Sequence, residues 1–243
     1  MRKQIDIREA FRLLDTYKRD PGTEELALEE CLDRILAEDI RAALPVPPFR
    51  KSPFDGYACR AADLPGCLRV VGEAATGTGL LPVMGPGEAV RIFTGAPVPD
   101  RADVVLKQED VQAEKGEIRV NFAAEAGTNV ICPGEDLQYG DLLLSKGSRL
   151  LPAHLGVLAS QGIGRIRVFR RPLAVIIPTG SELSEPGEER SIYGIYNSSY
   201  YALSGYLRRL GFRVKNGGIV PDEAEQTHRA VQEALDSEAD VVI

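Results

Sequence analysis

The sequence is poor in the residues that build zinc and disulfide sites. It has no tryptophan, two histidines far apart in the chain and four cysteines without a Cys-x-x-Cys pair. The cysteines are Cys31, Cys59, Cys67 and Cys132, and the histidines are His154 and His228. This spacing disfavours a zinc site, and we interpret the cysteines as buried or free thiols.

Long apolar runs are also missing. No stretch approaches the ~18 residues that span a bilayer, and the amphipathic N-terminus lacks the apolar segment and cleavage site of a signal peptide. The sequence therefore predicts a cytoplasmic protein without a membrane partner.

Positive charge is scarce as well. Lys and Arg number 29 against 36 Asp and Glu, so the net charge is -7 and the pI about 5.1. Without a basic field to neutralise phosphates, the composition argues against nucleic acid as a partner. The P-loop and dinucleotide fingerprints are both absent, and no local sequence has the features of a Ser-His-Asp site. What remains is a chain of 243 residues, 44% hydrophobic, which is enough for a substantial core.

The N-terminal third has helical patterns that end at prolines. Ile7, Ala10, Phe11 and Leu14 recur at the spacing of one buried helical face. The string "ALEECLDRILAEDI", residues 27–40, predicts a second helix. The proline-dense string "LPVPPFRKSP" then forbids a helix and indicates a boundary.

The middle of the chain is rich in β-like runs. From about residue 63 to 144, short runs separated by Gly, Pro and Asn predict a small barrel or sandwich. The strings "LPAHLGVLASQG" and "RIRVF" then predict a helix that begins at Pro152 and a strand. The alternating arginines Arg165, Arg167, Arg170 and Arg171 are typical of a solvated strand face.

The last third alternates between apolar strands and helices in the order βαβαβ, which predicts a parallel sheet covered by helices. The whole is therefore expected to be a multidomain fold of mixed α/β and β class. We predict an N-terminal domain from residues 1–47 with 146–171, an inserted β-rich domain at 48–145, and an α/β domain at 172–243. Because the last residue falls inside the third strand, we expect the α/β domain to be incomplete and the chain truncated.

The string "KSPFDGYACR" has two interpretations. Asp55 and Gly56 form a turn signal, which is typical of a solvated aspartate. Alternatively, Asp55, flanked by Ser52 and Tyr57, presents a carboxylate to a cation or a polar ligand. The string "FTGAPVP" allows a ligand close to the backbone at Gly95 and Ala96 and adds the hydroxyl of Thr94, as suits phosphate or oxyanion contact.

The string "PTGSEL" follows the first apolar strand of the last third. Ser181 is a possible helix cap, and Glu182 then favours the helix N-terminus. Asp222, after the second strand, is likewise a possible cap. Adjacent parallel strands, however, bring their carboxyl ends to one edge, where ligands bind. Glu182 and Asp222 are therefore also candidate Mg²⁺ ligands.

Five ordered strings together resemble the molybdopterin molybdenumtransferases, the family of bacterial MoeA and the related domain of gephyrin. They are "PPFRKSPFDGYA", "IFTGAPVPDRADVV", "GEDLQYGDLLLSKGSRLLPAHLGVLASQGI", "VIIPTGSEL" and "GIVPD". Each string alone is weak, but their order and spacing over nearly the whole chain are specific.

The resemblance implies an enzyme that inserts molybdenum into adenylylated molybdopterin, using molybdate and Mg²⁺ and releasing AMP. It also implies a cytosolic homodimer whose active site is shared between subunits, with molybdopterin adenylyltransferase as the upstream partner. Carried over by position, Asp55, Glu182 and Asp222 are acidic active-site residues. The pairs Thr94-Gly95 and Thr179-Gly180 line the cleft.

The sequence departs from the family pattern at several positions. Ile131 stands where an arginine is usual, Ser199 where asparagine is usual, and Phe54 replaces a methionine. The Gly-Gly-x-Ser loop that normally follows "ADVVI" is absent, so we expect this chain alone to be inactive. Two alternatives stay open: a non-catalytic scaffold of the gephyrin type, and a paralog that acts on another pterin dinucleotide.

Overall fold

The computed structural model describes residues 6–17, 20–77 and 79–243. The helices are α1 (Ile7–Thr16), α2 (Pro152–Ser160), α3 (Ser198–Arg209) and α4 (Ala224–Asp236). The first strands are β1 (Thr23–Ala27), β2 (Ile40–Arg41), β3 (Gly56–Cys59), β4 (Gly66–Ala74), β5 (Glu88–Ile92), β6 (Val104–Lys107), β7 (Gln112–Glu114) and β8 (Glu117–Val120). The later strands are β9 (Leu142–Leu144), β10 (Arg165–Phe169), β11 (Leu173–Ile176), β12 (Leu183–Ser184), β13 (Ile195–Tyr196), β14 (Arg213–Asn216) and β15 (Val241–Val242).

The described residues form two compact units. The β unit is Ile40–Leu143, and the α/β unit is the chain up to Asp39 together with Leu144–Ile243. The finer division into three domains, with boundaries after residues 47, 145 and 171, stays a prediction.

The β unit is built on one six-stranded sheet of order β6-β3-β5-β4-β8-β7. Its neighbouring strands are antiparallel except β4 and β5, which are parallel. Residues of neighbouring strands, such as Val90, Ile92, Val105 and Ile118, are buried in a common core, and β6 buries three consecutive residues. The predicted β-rich character is confirmed, and six of its strands pair in one sheet; the choice between a barrel and a sandwich stays a prediction.

The α/β unit contains the predicted parallel sheet. Its strand order is β14-β11-β15, and β11 pairs in parallel with both neighbours. All four residues of β11 are buried, because helices cover a parallel sheet on both faces. Leu173, Val175, Ile177, Val220 and Ala234 form the core beneath α4. The βαβαβ prediction is confirmed.

The predicted helix over residues 27–40 is wrong. β1, which pairs with β10, ends at Ala27, the first residue of that range, and only one 3-10 turn follows, at Leu28–Glu30. Asp33 then takes a left-handed φ of 62°, which a helix cannot accommodate. Its N–H donates to Leu150 O (2.9 Å), and the N–H of Leu36 donates to Ser148 O (2.9 Å). Pairing with a distant segment therefore replaces the local helical bonds.

The first predicted helix is present, as α1, with Asp6 accepting from Glu9 N at its N-terminus. Its apolar face, however, is uncovered: Ile7, Phe11 and Leu14 are 73%, 62% and 65% exposed. In the described ranges, none of the helices has both the length and the apolar composition of a bilayer span.

Candidate functional site

Asp55 is tied to Thr94 by two hydrogen bonds. Both the N–H and the hydroxyl of Thr94 donate to Asp55 Oδ1, each at 2.8 Å. No described residue donates to the second oxygen, Oδ2. The strings "KSPFDGYACR" and "FTGAPVP" therefore meet in the structure. One oxygen of the Asp55 carboxylate stays free for a ligand.

Backbone hydrogen bonds hold the two loops together. Ser52 N donates to Ala96 O (3.0 Å), and Gly95 N donates to Ser52 O (2.7 Å). Ser52 itself is buried, and its Oγ donates to Phe54 O (2.5 Å) and accepts from Phe54 N (3.2 Å). The hydroxyl of Ser52 thus stabilises the turn before Asp55 and does not face solvent.

Glycine is required at two positions of this site. Gly95 has a φ of +81°, a conformation that favours glycine. Gly56 lies against the neighbouring strand β6, and a Cβ there would be 1.8 Å from Leu106 O. The Asp-Gly pair therefore reflects close strand packing after Asp55 as well as a turn.

The environment of Asp55 keeps its carboxyl ionised. The bonds from the Thr94 N–H and hydroxyl hold the pKa of Asp55 below its ordinary value, and the positive charge of Arg91 acts in the same direction. Partial desolvation opposes this effect but is smaller than the hydrogen bonds. The free oxygen is consequently anionic at neutral pH.

Two cations near the turn that carries Phe54 and Asp55 were not identified from the sequence. The Arg91 guanidinium lies over the rings of Tyr57 and Phe93, 4.9 and 5.3 Å from their centroids. The Lys107 ammonium lies 4.4 Å from the centroid of Phe54. In the sequence, both residues look like ordinary solvated positions on strands, so only the contacts between strands and loops reveal them.

Ile131, which replaces the usual arginine, pairs with Lys51. The two residues exchange both backbone hydrogen bonds, Lys51 N to Ile131 O (3.1 Å) and Ile131 N to Lys51 O (3.0 Å). Directly paired residues of an antiparallel ladder lie on the same face. A positive side chain is therefore present next to the position from which the arginine is missing.

The second group of predicted residues lies in the α/β unit, where β11 and β14 end. Thr179 forms a parallel bridge with Val220, Gly180 N donates to Val220 O (3.0 Å), and Val220 N donates to Pro178 O (2.9 Å). The loops that follow the two strands are thus fixed to each other, as the parallel topology predicted.

The capping alternatives for this group are wrong. No helix follows Ser181, whose Oγ accepts from Asp222 N (3.3 Å). The N-cap of α4 is Glu223, one residue after Asp222, and it makes no capping bond with its side chain. The carboxylates of Glu182 and Asp222 are exposed and have no hydrogen-bond or ion-pair partner among the described residues. Both are therefore available as oxygen ligands.

Ser199 lies in the first turn of α3 beside a buried polar cluster. Asn197, 1% exposed, caps α3 by accepting from Tyr200 N (3.2 Å) and donates to Glu185 Oε1 (3.0 Å). The Tyr201 hydroxyl donates to the other oxygen of Glu185 (3.2 Å). Ser199 itself is exposed at the start of the helix.

These residues fit Mg²⁺ only if waters and substrate phosphates supply the remaining ligands of the ion. In the part of the chain that is described, no three His, Cys, Asp or Glu side chains converge as a metal site. Mg²⁺, however, is commonly held by one or two carboxylates with waters and substrate phosphates. Glu182 and Asp222, on two loops joined by a hydrogen bond, meet that lower requirement.

Comparison with known proteins identifies the class and then the family. Residues 175–243 match a probable molybdopterin binding domain, so the α/β unit contains a domain of the pterin-cofactor class. Residues 5–162 match the MoeA N-terminal region, domain I and II. The chain belongs to the MoeA family, and the resemblance found in the sequence is confirmed.

Several relatives cover almost all of this chain. The molybdopterin molybdenumtransferase of Bacillus subtilis (strain 168) is 35% identical over 245 residues, 96% of this chain and 57% of its own length. That of Haemophilus influenzae is 36% identical over 235 residues, 96% and 58%. The molybdopterin biosynthesis MoeA protein of Pyrococcus horikosii has the same fold, with a TM-score of 0.92 at 36% identity over 99% of this chain. The chain spans 57–63% of the length of these relatives.

Proposed function

We propose that this chain is part of a molybdopterin molybdenumtransferase, which inserts molybdenum from molybdate into adenylylated molybdopterin in a Mg²⁺-dependent reaction that releases AMP. The observation that carries the proposal is the Asp55-Thr94 pair. It presents an ionised carboxylate with one free oxygen on a turn that backbone bonds hold rigid. Relatives that bear this enzyme name support the reaction class.

In this proposal each group of residues has a role. The loop from Thr179 to Ser181 leaves the carboxyl end of β11, where ligands of parallel sheets bind, and its hydroxyls are available to the pterin substrate. Glu182 and Asp222 hold Mg²⁺, which supplies charge neutralisation at the phosphates. Asp55, with Thr94 and Gly95, faces the reacting end and orients molybdate and water through its free oxygen.

The oligomeric state and the cellular location of the protein are also part of the proposal. The protein is a cytoplasmic homodimer in which the β unit of one subunit and the α/β unit of the other complete one site. Molybdopterin adenylyltransferase supplies the adenylylated substrate. The supporting observation is chemical: the two groups of ligand residues lie in different compact units, and neither group has the three acidic or His/Cys side chains of a complete metal site among the described residues.

AMP release tests the reaction. Full-length protein with adenylylated molybdopterin, molybdate and Mg²⁺ should release AMP and form active cofactor. Asp55→Asn should abolish turnover while the protein stays folded, because the amide keeps an acceptor oxygen for Thr94 and loses the charge. Glu125→Gln, which removes an exposed charge of the same unit, is the matched control. Turnover retained in Asp55→Asn would remove Asp55 from the site.

A Mg²⁺ titration tests the metal ligands. Glu182→Gln and Asp222→Asn should each weaken the Mg²⁺ dependence of substrate binding at least tenfold, whereas Glu225→Gln on exposed α4 should not change it. An unchanged titration in both variants would mean that the carboxylates do not bind the metal.

Ile131 and Ser199 favour a second candidate, a non-catalytic scaffold of the gephyrin type, because both positions lose residues usual in the family. A paralog acting on another pterin dinucleotide is the third. Complementation of a strain that lacks the transferase separates them: a scaffold does not restore molybdoenzyme activity. If the chain is such a paralog, a substrate panel should show turnover only with a different pterin dinucleotide.

A further inference from the structure

Six arginines line one recess of the α/β unit. The recess has a volume of about 810 Å³, within the roughly 300–1,000 Å³ of small-molecule sites. The arginines are Arg34, Arg149, Arg170, Arg171, Arg208 and Arg209. They come from four separate segments, so the cluster is a product of the fold and not of a basic run.

The recess lies at the edge of the sheet opposite to the proposed substrate loops. Pro172, which lines it, immediately precedes β11, and Gly211 comes shortly before β14. The residues Thr179 to Glu182 and Asp222 follow the carboxyl ends of the same strands. The recess is therefore separate from the loops of Glu182 and Asp222 in the same unit.

Three of the arginines are held by protein partners. Arg34 pairs with Glu24 and donates to Phe169 O (2.8 Å), and Arg149 pairs with Asp33 (2.9 Å). Arg170 pairs with Asp240 (2.8 Å) and donates to Pro21 O (2.8 Å). Asp240 raises the pKa of Arg170, with a smaller contribution from the charge of Glu238. Arg34, which is buried, is thereby fixed in the wall of the recess, whereas Arg149 is held only by an exposed ion pair.

The other three arginines differ from these in their surroundings. The side chains of Arg171, Arg208 and Arg209 have no hydrogen-bond or ion-pair partner among the residues that the structure describes. Arg208 and Arg209 occupy the last turn of α3, where the helix dipole favours cations. The dipole supplies only about half a negative charge, so most of the positive charge remains. In a protein of net charge -7, this is a local excess of three guanidiniums.

The walls between the arginines are apolar. Phe169 and Ile35 line the recess, as does Leu210, which is 74% exposed. The Lys146 ammonium lies 5.5 Å from the centroid of the Phe169 ring, which adds a further cation to this region. Guanidiniums bind phosphate through two parallel N–H bonds, and an apolar wall accommodates a ring.

We propose that this recess is a second binding site, which takes a compact phosphorylated anion such as a pyrophosphate or a nucleoside diphosphate. Arg171, Arg208 and Arg209 are the residues that contact its phosphates, and Phe169 with Leu210 packs against a base when one is present. Because the recess lies away from the substrate loops, its ligand is a regulatory or product-sensing one and not the substrate of the transfer.

Calorimetric titration of the full-length protein with inorganic pyrophosphate, and separately with ADP, tests this site. We expect saturable binding that weakens about tenfold in Arg171→Ser and more in the double variant Arg208→Ser/Arg209→Ser, because each change removes a charge-assisted contact. Arg209→Lys keeps the positive charge but lacks the two parallel N–H donors of a guanidinium, so it should lose only part of the affinity for pyrophosphate. The matched control is Arg229→Ser, because Arg229 is exposed on α4 and has no partner among the described residues.

The two probes and one further variant complete the test. ADP that binds more tightly than pyrophosphate would identify a nucleotide ligand, and equal affinities would identify the phosphates alone. Asp222→Asn should leave this binding unchanged, so failure here is distinguishable from failure of the proposed transferase reaction. The same affinity in wild type and in the double arginine variant, or no saturable binding, would overturn the proposal.

Discussion

Gly56→Ala is the substitution whose effect the structure defines most sharply. The added Cβ would lie 1.8 Å from Leu106 O, 2.9 Å from Leu106 C and 3.2 Å from Lys107 Cα. All three are backbone atoms of β6, which cannot rotate away as a side chain can. Since real Cβ contacts stay beyond 3.0 Å, β3 and β6 must separate locally by more than 1 Å.

The free-energy cost of this separation depends on the pairing of β3 with β6. Gly56 pairs with Lys107 and Tyr57 with Leu106, so the movement weakens about two ladder bonds, each worth roughly 0.5–1.5 kcal/mol. The strained core behind them adds about 1–3 kcal/mol. A total of about 3 kcal/mol corresponds to a roughly 100-fold larger opening equilibrium constant for the β unit.

Cys59 reports this opening directly. It lies in β3, is 0% exposed, and burial raises its pKa to about 12, so its thiol reacts only when the β unit opens. Under conditions of fast reclosing, the labelling rate is proportional to the opening equilibrium constant. Cys31, buried in the α/β unit, is the internal reference. Mass spectrometry of the labelled peptides separates both from the exposed Cys67 and Cys132.

We expect Gly56→Ala to accelerate labelling of Cys59 about 100-fold and to leave Cys31 unchanged. Gly85→Ala is the matched control in the same unit, because its added methyl meets only the flexible Glu88 carboxylate, at 3.5 Å. Its effect should stay within about twofold to threefold. If Gly56→Ala also changed the labelling rate of Cys59 by only about twofold to threefold, the close approach of β3 and β6 would be refuted.

Three further predictions concern the sites. Thr94→Val removes the hydroxyl donor but keeps the N–H, so the pKa of Asp55 should rise toward its ordinary value in a carbon-13 NMR titration; no rise would contradict the bond. Because the pKa of Asp55 is depressed by folding, its contribution to stability is complete above the ordinary carboxyl pKa of about 3.9 and is lost as the pH falls through the depressed value. Asn197→Ala removes the α3 cap and the bond to Glu185, and should cost about 2 kcal/mol in urea unfolding, whereas Ser198→Ala should stay within about 0.5 kcal/mol. Lys51→Ala should raise the KM for molybdate in the full-length enzyme, and an unchanged KM would show that Lys51 does not replace the missing arginine.

The α/β part of the fold was predictable because its signals are local. The four buried residues of β11 form a continuous apolar run, and the amphipathic helices α3 and α4 end near Gly211 and Ser237. The parallel order then follows from the alternation of elements. From that order alone, the sequence also predicted that the loops of Ser181 and Asp222 meet at one edge, where a hydrogen bond now joins them.

Sequence patterns failed where distant segments decide the structure. Residues 27–40 have the composition of a helix, but their backbone bonds go to residues 148–150 and 167, more than a hundred positions away. The same limit applies to the recess. Arg170 and Arg171 looked like a solvated strand face, because nothing local indicates that Arg208 and Arg209 pack beside them.

In both candidate sites backbone hydrogen bonds fix the loops, which leaves one oxygen of Asp55 and the carboxylate of Glu182 without a partner among the described residues. Ser52 and Gly95 bond through their main chains, as do Gly180 and Val220. The free oxygen of Asp55 and the carboxylate of Glu182 therefore contribute little to folding. It follows that Glu182→Gln should leave the labelling of the buried thiols unchanged while it weakens function. Asp55→Asn keeps an acceptor oxygen for Thr94 and loses only the charge, so it should abolish function and accelerate the labelling of Cys59 by no more than about twofold to threefold. A variant that loses activity and thiol protection together would instead show that its carboxylate supports the fold.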